Sequence, residues 1–506
     1  MKKIFIFIIG VIAMPILNAQ DITDAVRYSQ DEIQGSARFR AMGGAFGALG
    51  GDMSAININP AGSAIFSNSH VSISLGNFNT DNDVSYFNGL NSSSDSDIDL
   101  NQAGGVFVFY NNDANSSWRK FSIGVAYDRV GNFDNDWVAN GVNPNNSIGD
   151  YFLQSAQGLR LDEISALPGE SISQAYNEIG SLFGFRHQQA FLGFEGFIFD
   201  PVSDTDDNTQ YTPNIVGGNY DQRFALASAG YNGKVAFNFA GQYRDNISFG
   251  INLNSHFINY ERSTFLREQN SNAGSTINQV DFQNNLLTTG TGFSFQLGTI
   301  AKITEELRLG LSYASPTWYY LNDETSQFLA TAGSDTAGDF TAVVDPRVIN
   351  IFPEYRLQTP GKITGSLAYV FGGKGLLSFD YSVKDFSNTK FRPTSDNFFS
   401  IQNDIINDQL TTASTYRIGG EYRHKQFSFR GGYRFEESPY KDTDFYGDLT
   451  GYSLGLGYSF GNTKLDASFS QSERTISHQL FNVGLTDAAQ IDTRLTDIIL
   501  TLSFNL

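Results

Sequence analysis

The chain has 506 residues, enough for several ordinary domains or one large all-β barrel, and a formal net charge of -20. That charge argues against nucleic acid as a partner, because phosphate binding needs a basic face and no basic cluster occurs. With 44 Phe, 24 Tyr and 50 Gly against 4 Met and 0 Cys, the composition favours aromatic-rich strands and turns, and suits an exported protein that folds without disulfides.

Residues 1–19 begin with two lysines, continue in an apolar run from Ile4 to Ile16, and end in Leu17-Asn18-Ala19. This pattern predicts a secretory signal peptide cleaved after Ala19, with an apolar core too short to span a bilayer as a helix. No later apolar run is long enough for a transmembrane helix either. The next stretch, Gly35 to Phe66, is unlike any other in the chain: nearly uncharged, with seven glycines among Ala, Met, Phe and Leu. Such a segment lets backbone approach backbone closely, which suits burial inside something larger. It ends in Asn59-Pro60-Ala61-Gly62, where the proline fixes a turn. The plain alternative is a Gly-rich loop of a soluble domain.

From His70 onward strict alternation takes over. Tyr452, Leu454, Leu456, Tyr458 and Phe460 share one face of a run whose other face is Ser453, Gly455, Gly457 and Ser459. Runs of this kind fall at about 71–78, 103–110, 120–130, 231–243, 247–266, 289–303, 307–320, 361–371, 376–391, 412–425, 427–437, 450–460, 464–480 and 493–506, which makes fourteen strands. The hydrophilic stretches Asp81 to Asp99 and Asp204 to Asp207 are read as solvated loops. Period two alone fits a soluble sandwich as well as a barrel in a membrane. Three features favour the barrel. Aromatic residues cluster at strand ends, as in Tyr369 with Phe371. The face opposite the apolar one carries Asp380, Lys384, Arg417, Glu421, Arg423, Arg430 and Arg434, as a wet lumen would. Connections alternate between tight turns, such as Arg244-Asp245-Asn246, and long loops. The last run places Ile498, Leu500, Leu502, Phe504 and Leu506 on one face.

The longest insertion, 131–230, is predicted to be partly helical: Ser171 caps a short helix carrying Ile172, Ala175, Ile179 and Leu182 at helical spacing. The aromatic set Phe183, Phe185, Phe191, Phe194 and Phe197 reads either as the packing of a lid or as an apolar surface that collects ligand.

The Gly43-Gly44-Ala45-Phe46-Gly47-Ala48-Leu49-Gly50-Gly51-Asp52 run, followed by Asn59-Pro60-Ala61-Gly62 and by strands such as 307–313 and 415–422, resembles the FadL/TodX-type outer-membrane transporters of hydrophobic compounds. The Met42-Gly43-Gly44 tripeptide is similar to the branch found in Bacteroidetes-type bacteria. The resemblance implies a 14-stranded antiparallel transmembrane β-barrel, residues 70–506, plugged by an N-terminal hatch, residues 20–69. By position it makes Gly43, Gly44, Phe46, Asn59, Pro60, Ala61 and Gly62 the hatch and its gate. It makes the third strand, with Gly124 as its weak point, the site of a sideways opening. By their charge Arg38, Arg40 and the lumenal Arg417, Arg423, Arg430 and Arg434 are candidates to meet a fatty-acid carboxylate, with Arg38, Arg40 and Arg430 singled out as head-group contacts. Most lumenal arginines have a plainer role open to them, as ion-pair partners of Glu421 and Asp380.

The implied partners are a hydrophobic small molecule, outer-membrane lipid and lipopolysaccharide, and the barrel-assembly machinery, with the protein a monomer in a Gram-negative outer membrane. No cofactor and no metal are expected, because the five histidines His70, His187, His256, His424 and His478 show no ligand spacing. For the same reason no enzyme is expected. The competing classes are a non-specific porin, which needs an open lumen, and a structural or adhesive surface barrel. Fatty acids, aromatic hydrocarbons and haem are not separated by the sequence, with haem least supported.

Overall fold

The computed structural model describes residues 20–113 and 115–506, so the predicted signal peptide lies outside the described residues. Fourteen antiparallel wall strands close a ring: β1 His70–Tyr86, β2 Gly89–Tyr110, β3 Trp118–Asn132, β4 Tyr220–Tyr243, β5 Ile247–Gln269, β6 Ile277–Lys302, β7 Leu307–Ala314 continued by Trp318–Asp335, and β8 Tyr355–Gln358 continued by Lys362–Val370. The ring goes on through β9 Gly375–Asp385 with Lys390–Arg392, β10 Thr412–His424, β11 Phe427–Glu436, β12 Leu449–Ser459, β13 Thr463–Gln479 and β14 Ala488–Asn505. The seam is β1 against β14, which pair from His70 with Asn505 to Ser85 with Gln490. Closure leaves no strand edge exposed to lipid, where an unpaired backbone group costs several kcal/mol.

Alternation decides which face looks where. Phe121, Ile123 and Val125 on β3, and Tyr452, Leu454 and Leu456 on β12, stand on the outside at 43–59% exposure. Their neighbours Ser122, Ser453 and Asn238 are buried in the lumen. At the short-turn end, Trp118 stacks on Phe121, Tyr369 packs on Phe371, and Tyr458 on Phe460, forming an aromatic girdle.

The stretch Asp81 to Asp99 differs from expectation. It is the upper half of the β1–β2 hairpin, paired to the turn at Phe87-Asn88. Ser, Asn and Asp make up most of it: on β1 Thr80, Asn82, Val84 and Tyr86 turn to a buried face, while β2 from Gly89 to Asp99 is half-buried to exposed, without an apolar period. Three elements form a cap at the long-loop end: α3 Ile148–Ala156, α4 Ile172–Phe183 and α5 Phe185–Glu195. Ser171 caps α4, accepting from the Gln174 amide, as its sequence predicts. Phe152, Tyr176, Phe191 and Leu192 of the cap share one core with Tyr86, Phe224, Leu266, Phe282 and Ile491 of the surrounding wall.

Residues 20–66 fill the lumen. They comprise α1 Ile22–Ser29, an extended segment 30–34, α2 Ala37–Ala41, and two 3-10 turns, Ser54–Asn57 and Pro60–Ile65. The wall makes room for this hatch with glycines. A Cβ at Gly310 would lie 2.2 Å from the Gly47 carbonyl oxygen, and one at Gly298 would lie 2.0 Å from Asn59 Oδ1. Gly310→Val is therefore expected to push the hatch off the wall and raise ion conductance in planar bilayers above that of the parent barrel. Equal currents would show that the hatch does not seal the lumen at this point.

Candidate functional site

The hatch motif is a hydrogen-bonding device. Asn59 Oδ1 accepts from the Ala61 amide at 3.1 Å, capping the Pro60–Ile65 turn. Asn59 Nδ2 donates to the carbonyls of Gly47 at 2.8 Å and Thr299 at 2.9 Å, joining two parts of the hatch to the wall. Asn238 donates to the Pro60 carbonyl, Asn252 to that of Ile56, and Ser312 to that of Ile58. Gly43 and Gly44 take φ of +61° and +75°, which glycine adopts without strain. The chain then turns so that the Phe46 and Gly47 amides donate to the Asp380 carboxylate at 3.0 and 2.9 Å. Asp380 thus serves the hatch backbone, where the sequence suggests an arginine partner. Phe46 is fully buried, beneath Arg38 and against Phe39, and Ala61 and Gly62 are buried with it.

The three arginines proposed as head-group contacts each have a carboxylate of their own. Arg38 of the hatch donates to Glu421 at 2.8 Å, and Arg430 donates to Glu421 at 2.7 Å and to Asp466 at 2.6 Å. Arg40 pairs with Asp497 and donates to Gln34 at 2.7 Å. Arg423 adds a third cation to Glu421, whose side chain is wholly buried.

Between the hatch and the wall lies a cavity of about 400 Å³, within the range of small-molecule sites, roughly 300–1,000 Å³. Phe78, Phe133, Trp137, Leu226, Tyr260 and Phe445 supply its apolar surface, and Gln30 to Gln34 of the hatch form part of its boundary. Arg417 of β10 also lines it. This residue is 5% exposed, its Nε has no hydrogen-bond partner, and among the described residues no carboxylate lies within 4.0 Å of it. Its cross-strand neighbour Arg434, by contrast, is satisfied by Glu436 and Ser472. The sequence groups Arg417 with the other lumenal arginines. Alternation puts all of them inside, and only the tertiary pairing shows which one is free.

A second, polar chamber of about 100 Å³ lies across the segment 30–34. Lys234, Lys362, Lys384, Arg417, Asp31, Asp128 and His256 line it. Lys362 and Lys384 hold the Asp31 carboxylate at 2.7 and 3.3 Å. Burial alone would push the Asp31 carboxyl up; Lys362, Lys384 and Lys234 outweigh it and hold that carboxyl well below the usual range. At Glu32 burial outweighs the hydrogen bonds from Gln34 and Asn132 and the charge of Arg129, and raises its carboxyl above the ordinary value.

The remaining predicted residues are spread apart. Gly124 sits in the middle of an unbroken ladder, pairing with Val106 on one side and Asn238 on the other. The irregularities of β3 are instead at Trp118 to Lys120 and Arg129 to Gly131, and its pairing with β2 ends at Asp128 with Gln102. Above that point side chains lace the two sides together, Arg129 reaching Asp99 at 2.7 Å and Asp134 at 3.1 Å. Of the aromatic set in the cap, Phe191 is buried in its core. Phe185 and Phe194 are half-buried, Phe183 stacks on His187 at the surface, and Phe197 meets Phe340 edge-on.

Residues 202–505 match the family described as outer membrane protein transport protein (OMPP1/FadL/TodX). The chain belongs to this family. Among solved structures, its fold is similar to a FadL homologue of Pseudomonas aeruginosa, with 12% identity and a TM-score of 0.53, over 94% of this chain and 99% of that one. It is similar also to the Pseudomonas putida toluene transporter TodX, with 13% identity and a TM-score of 0.52, over 94% and 99%. No curated protein sequence matches it. The matched residues do not include 43–62. As a member of this family the chain is an outer-membrane β-barrel channel for hydrophobic compounds.

Glu421 is the hub of the hatch-to-wall charges. Removing one partner of a buried ion pair costs roughly 3–5 kcal/mol, because the remaining charges stay buried and unmatched. Glu421→Ala is therefore expected to lower barrel stability by about that amount in denaturant unfolding from detergent. Arg423→Ala, which removes a half-exposed side chain, should cost less than about 1 kcal/mol. Equal losses would refute the hub.

Proposed function

We propose that the chain is a passive uptake channel for long-chain carboxylates across the outer membrane of a Gram-negative bacterium, and not an enzyme. The observation that carries the reading is Arg417: a buried guanidinium with no carboxylate within 4.0 Å among the described residues and an unpartnered Nε, facing a cavity that sets aromatic and aliphatic side chains among charged ones. A guanidinium there binds a carboxylate through charge-assisted hydrogen bonds, while Phe133, Trp137 and Phe445 receive the chain. The hatch is the gate, because its backbone separates this cavity from the short-turn end. A polar, open pore would give an apolar molecule no affinity, which sets the reading against a non-specific porin. The end of the β2–β3 ladder at Gln102 and Asp128 supports sideways exit above that point. The barrel acts as a monomer among lipopolysaccharide and lipid, after insertion by the barrel-assembly machinery.

The test is uptake of a labelled long-chain fatty acid by cells lacking their own outer-membrane fatty-acid channel, at equal surface levels. The parent chain is expected to restore uptake, and the Asn59→Ala, Pro60→Ala double variant to lose most of it. Arg417→Met should reduce acid uptake about tenfold, the effect of roughly one charge-assisted hydrogen bond, and leave uptake of the matching alcohol unchanged. An inserted parent barrel that takes up neither probe would overturn the reading. Equal acid and alcohol transport, unaffected by Arg417→Met, would point to neutral ligands such as the aromatic compounds that the toluene transporters carry.

A further inference from the structure

The upper cavity and the lower chamber are separated by one thickness of polypeptide, residues 30–34, which line both. The tethers of this partition are few. The Glu32 amide donates to the Val130 carbonyl at 3.2 Å, the Asn132 amide to Glu32 Oε2 at 3.1 Å, and Lys384 to the Ser29 carbonyl. At its two ends Gln30 donates to the Tyr446 hydroxyl at 2.7 Å and Gln34 accepts from Arg40 at 2.7 Å, and in the middle the Asp31 carboxylate lies between Lys362 and Lys384.

The charges around Asp31 do not balance. Lys234 is 6% exposed, lines the lower chamber, and among the described residues has no hydrogen-bond or ion-pair partner within 4.0 Å. Lys362 and Lys384 act directly on Asp31, Lys234 lies across the strands from Asp128, and Arg417 adds a fourth cation at the boundary of both spaces, against the three carboxylates Asp31, Glu32 and Asp128 that line the chamber. An unmatched buried cation is costly, so a site built with a surplus of them is arranged for a further anion. Asn57, Asn232 and Asn254 each turn an unpartnered Oδ1 into the same region, and Asp128 adds another free oxygen. These acceptors suit water or a protonated group beside the anion.

We propose that Lys234, Lys362 and Lys384 form a second anion subsite that Asp31 occupies in the resting state, and that an incoming carboxylate takes the lysines from Asp31 and so releases the segment 30–34. The inference rests on the reading of the upper cavity as a carboxylate site. The route is then stepwise. The carboxylate is held first by Arg417, which faces both spaces, and exchanges with Asp31 on the lysines. As the hatch segment moves aside, the carboxylate passes into the chamber. A neutral molecule has nothing to exchange and leaves the partition shut.

The experiment measures binding of a long-chain fatty acid and of the matching alcohol to the purified full chain in detergent, read by the fluorescence of Trp137 in the upper cavity and by hydrogen exchange of residues 28–34. In the parent chain, the acid is expected to speed exchange in 28–34 and the alcohol to leave it unchanged. Asp31→Asn should raise acid affinity about tenfold without changing that for the alcohol, since the resident competitor is gone. Lys362→Met combined with Lys384→Met should abolish the acid-specific exchange response. Asp31→Asn that leaves acid affinity unchanged, or raises acid and alcohol alike, would overturn the proposal and leave Asp31 as a structural counter-ion. Arg417→Met separates the two levels. If it removes the acid preference while Asp31→Asn is silent, the upper site stands and the second subsite falls. If the parent binds neither probe, both fall.

Discussion

Every backbone amide and carbonyl inside a membrane must find a partner within the protein, and this requirement organises the molecule twice. In the wall it is met by closing the ladder from β1 round to β14. In the lumen it is met by side chains: Asp380 accepts the Phe46 and Gly47 amides, while Asn238, Asn252 and Ser312 donate to hatch carbonyls. The hatch has little regular structure of its own to absorb these groups. It is therefore stable only against this wall, and the wall's polar inner face is in large part the complement of the hatch backbone.

Charge follows the same division. The chain as a whole is strongly acidic, yet its interior gathers cations around few carboxylates. Glu421 neutralises Arg38, Arg423 and Arg430 together, and Asp466 and Asp497 hold Arg430 and Arg40. These pairs fasten the lower hatch. Higher in the lumen the contacts are looser: among the described residues Arg417 and Lys234 have no carboxylate within 4.0 Å, although Lys234 lies across the strands from Asp128. Fastening and ligand capture thus use the same residue types at different levels of one barrel.

Much of this was legible from the chain. Where one face meets lipid and the other meets the hatch, apolar and polar residues must alternate, and β3, β10 and β12 follow that rule. The Asn59-Pro60 turn and the glycine pairs at 43–44 and 50–51 mark a compact segment, and Ser171 marks the start of α4. The upper halves of β1 and β2 were hidden, because the buried face of β1 carries Thr80 and Asn82 beside Val84 and Tyr86, and β2 is open to water, so neither shows an apolar alternation. The helix α6, Asn397–Gln409, was hidden as well: Asn, Asp and Gln make up much of it, and only Phe399 and Ile406 are buried. Pairing between distant residues is the hardest to see. Arg417 and Arg434 face each other on neighbouring strands, and nothing local distinguishes the free guanidinium from the bound one. Gly124 shows the converse, a small residue whose strand pairing is unbroken.

The hatch leads straight into β1, and β1 completes the ring by pairing with β14, where His70 meets Asn505 435 positions along the chain. Contacts of such sequence separation are entropically expensive and form late. Until they form, the nascent barrel is an open, curled sheet with its own plug attached to one edge. The hatch touches strands on both sides of that seam, Ser63 meeting Ser122 of β3 and Arg40 meeting Asp497 of β14, so its full set of contacts exists only when the ring is shut. A barrel that closed first would have to admit 47 folded residues, 20–66, through a mouth already roofed by α3, α4 and α5.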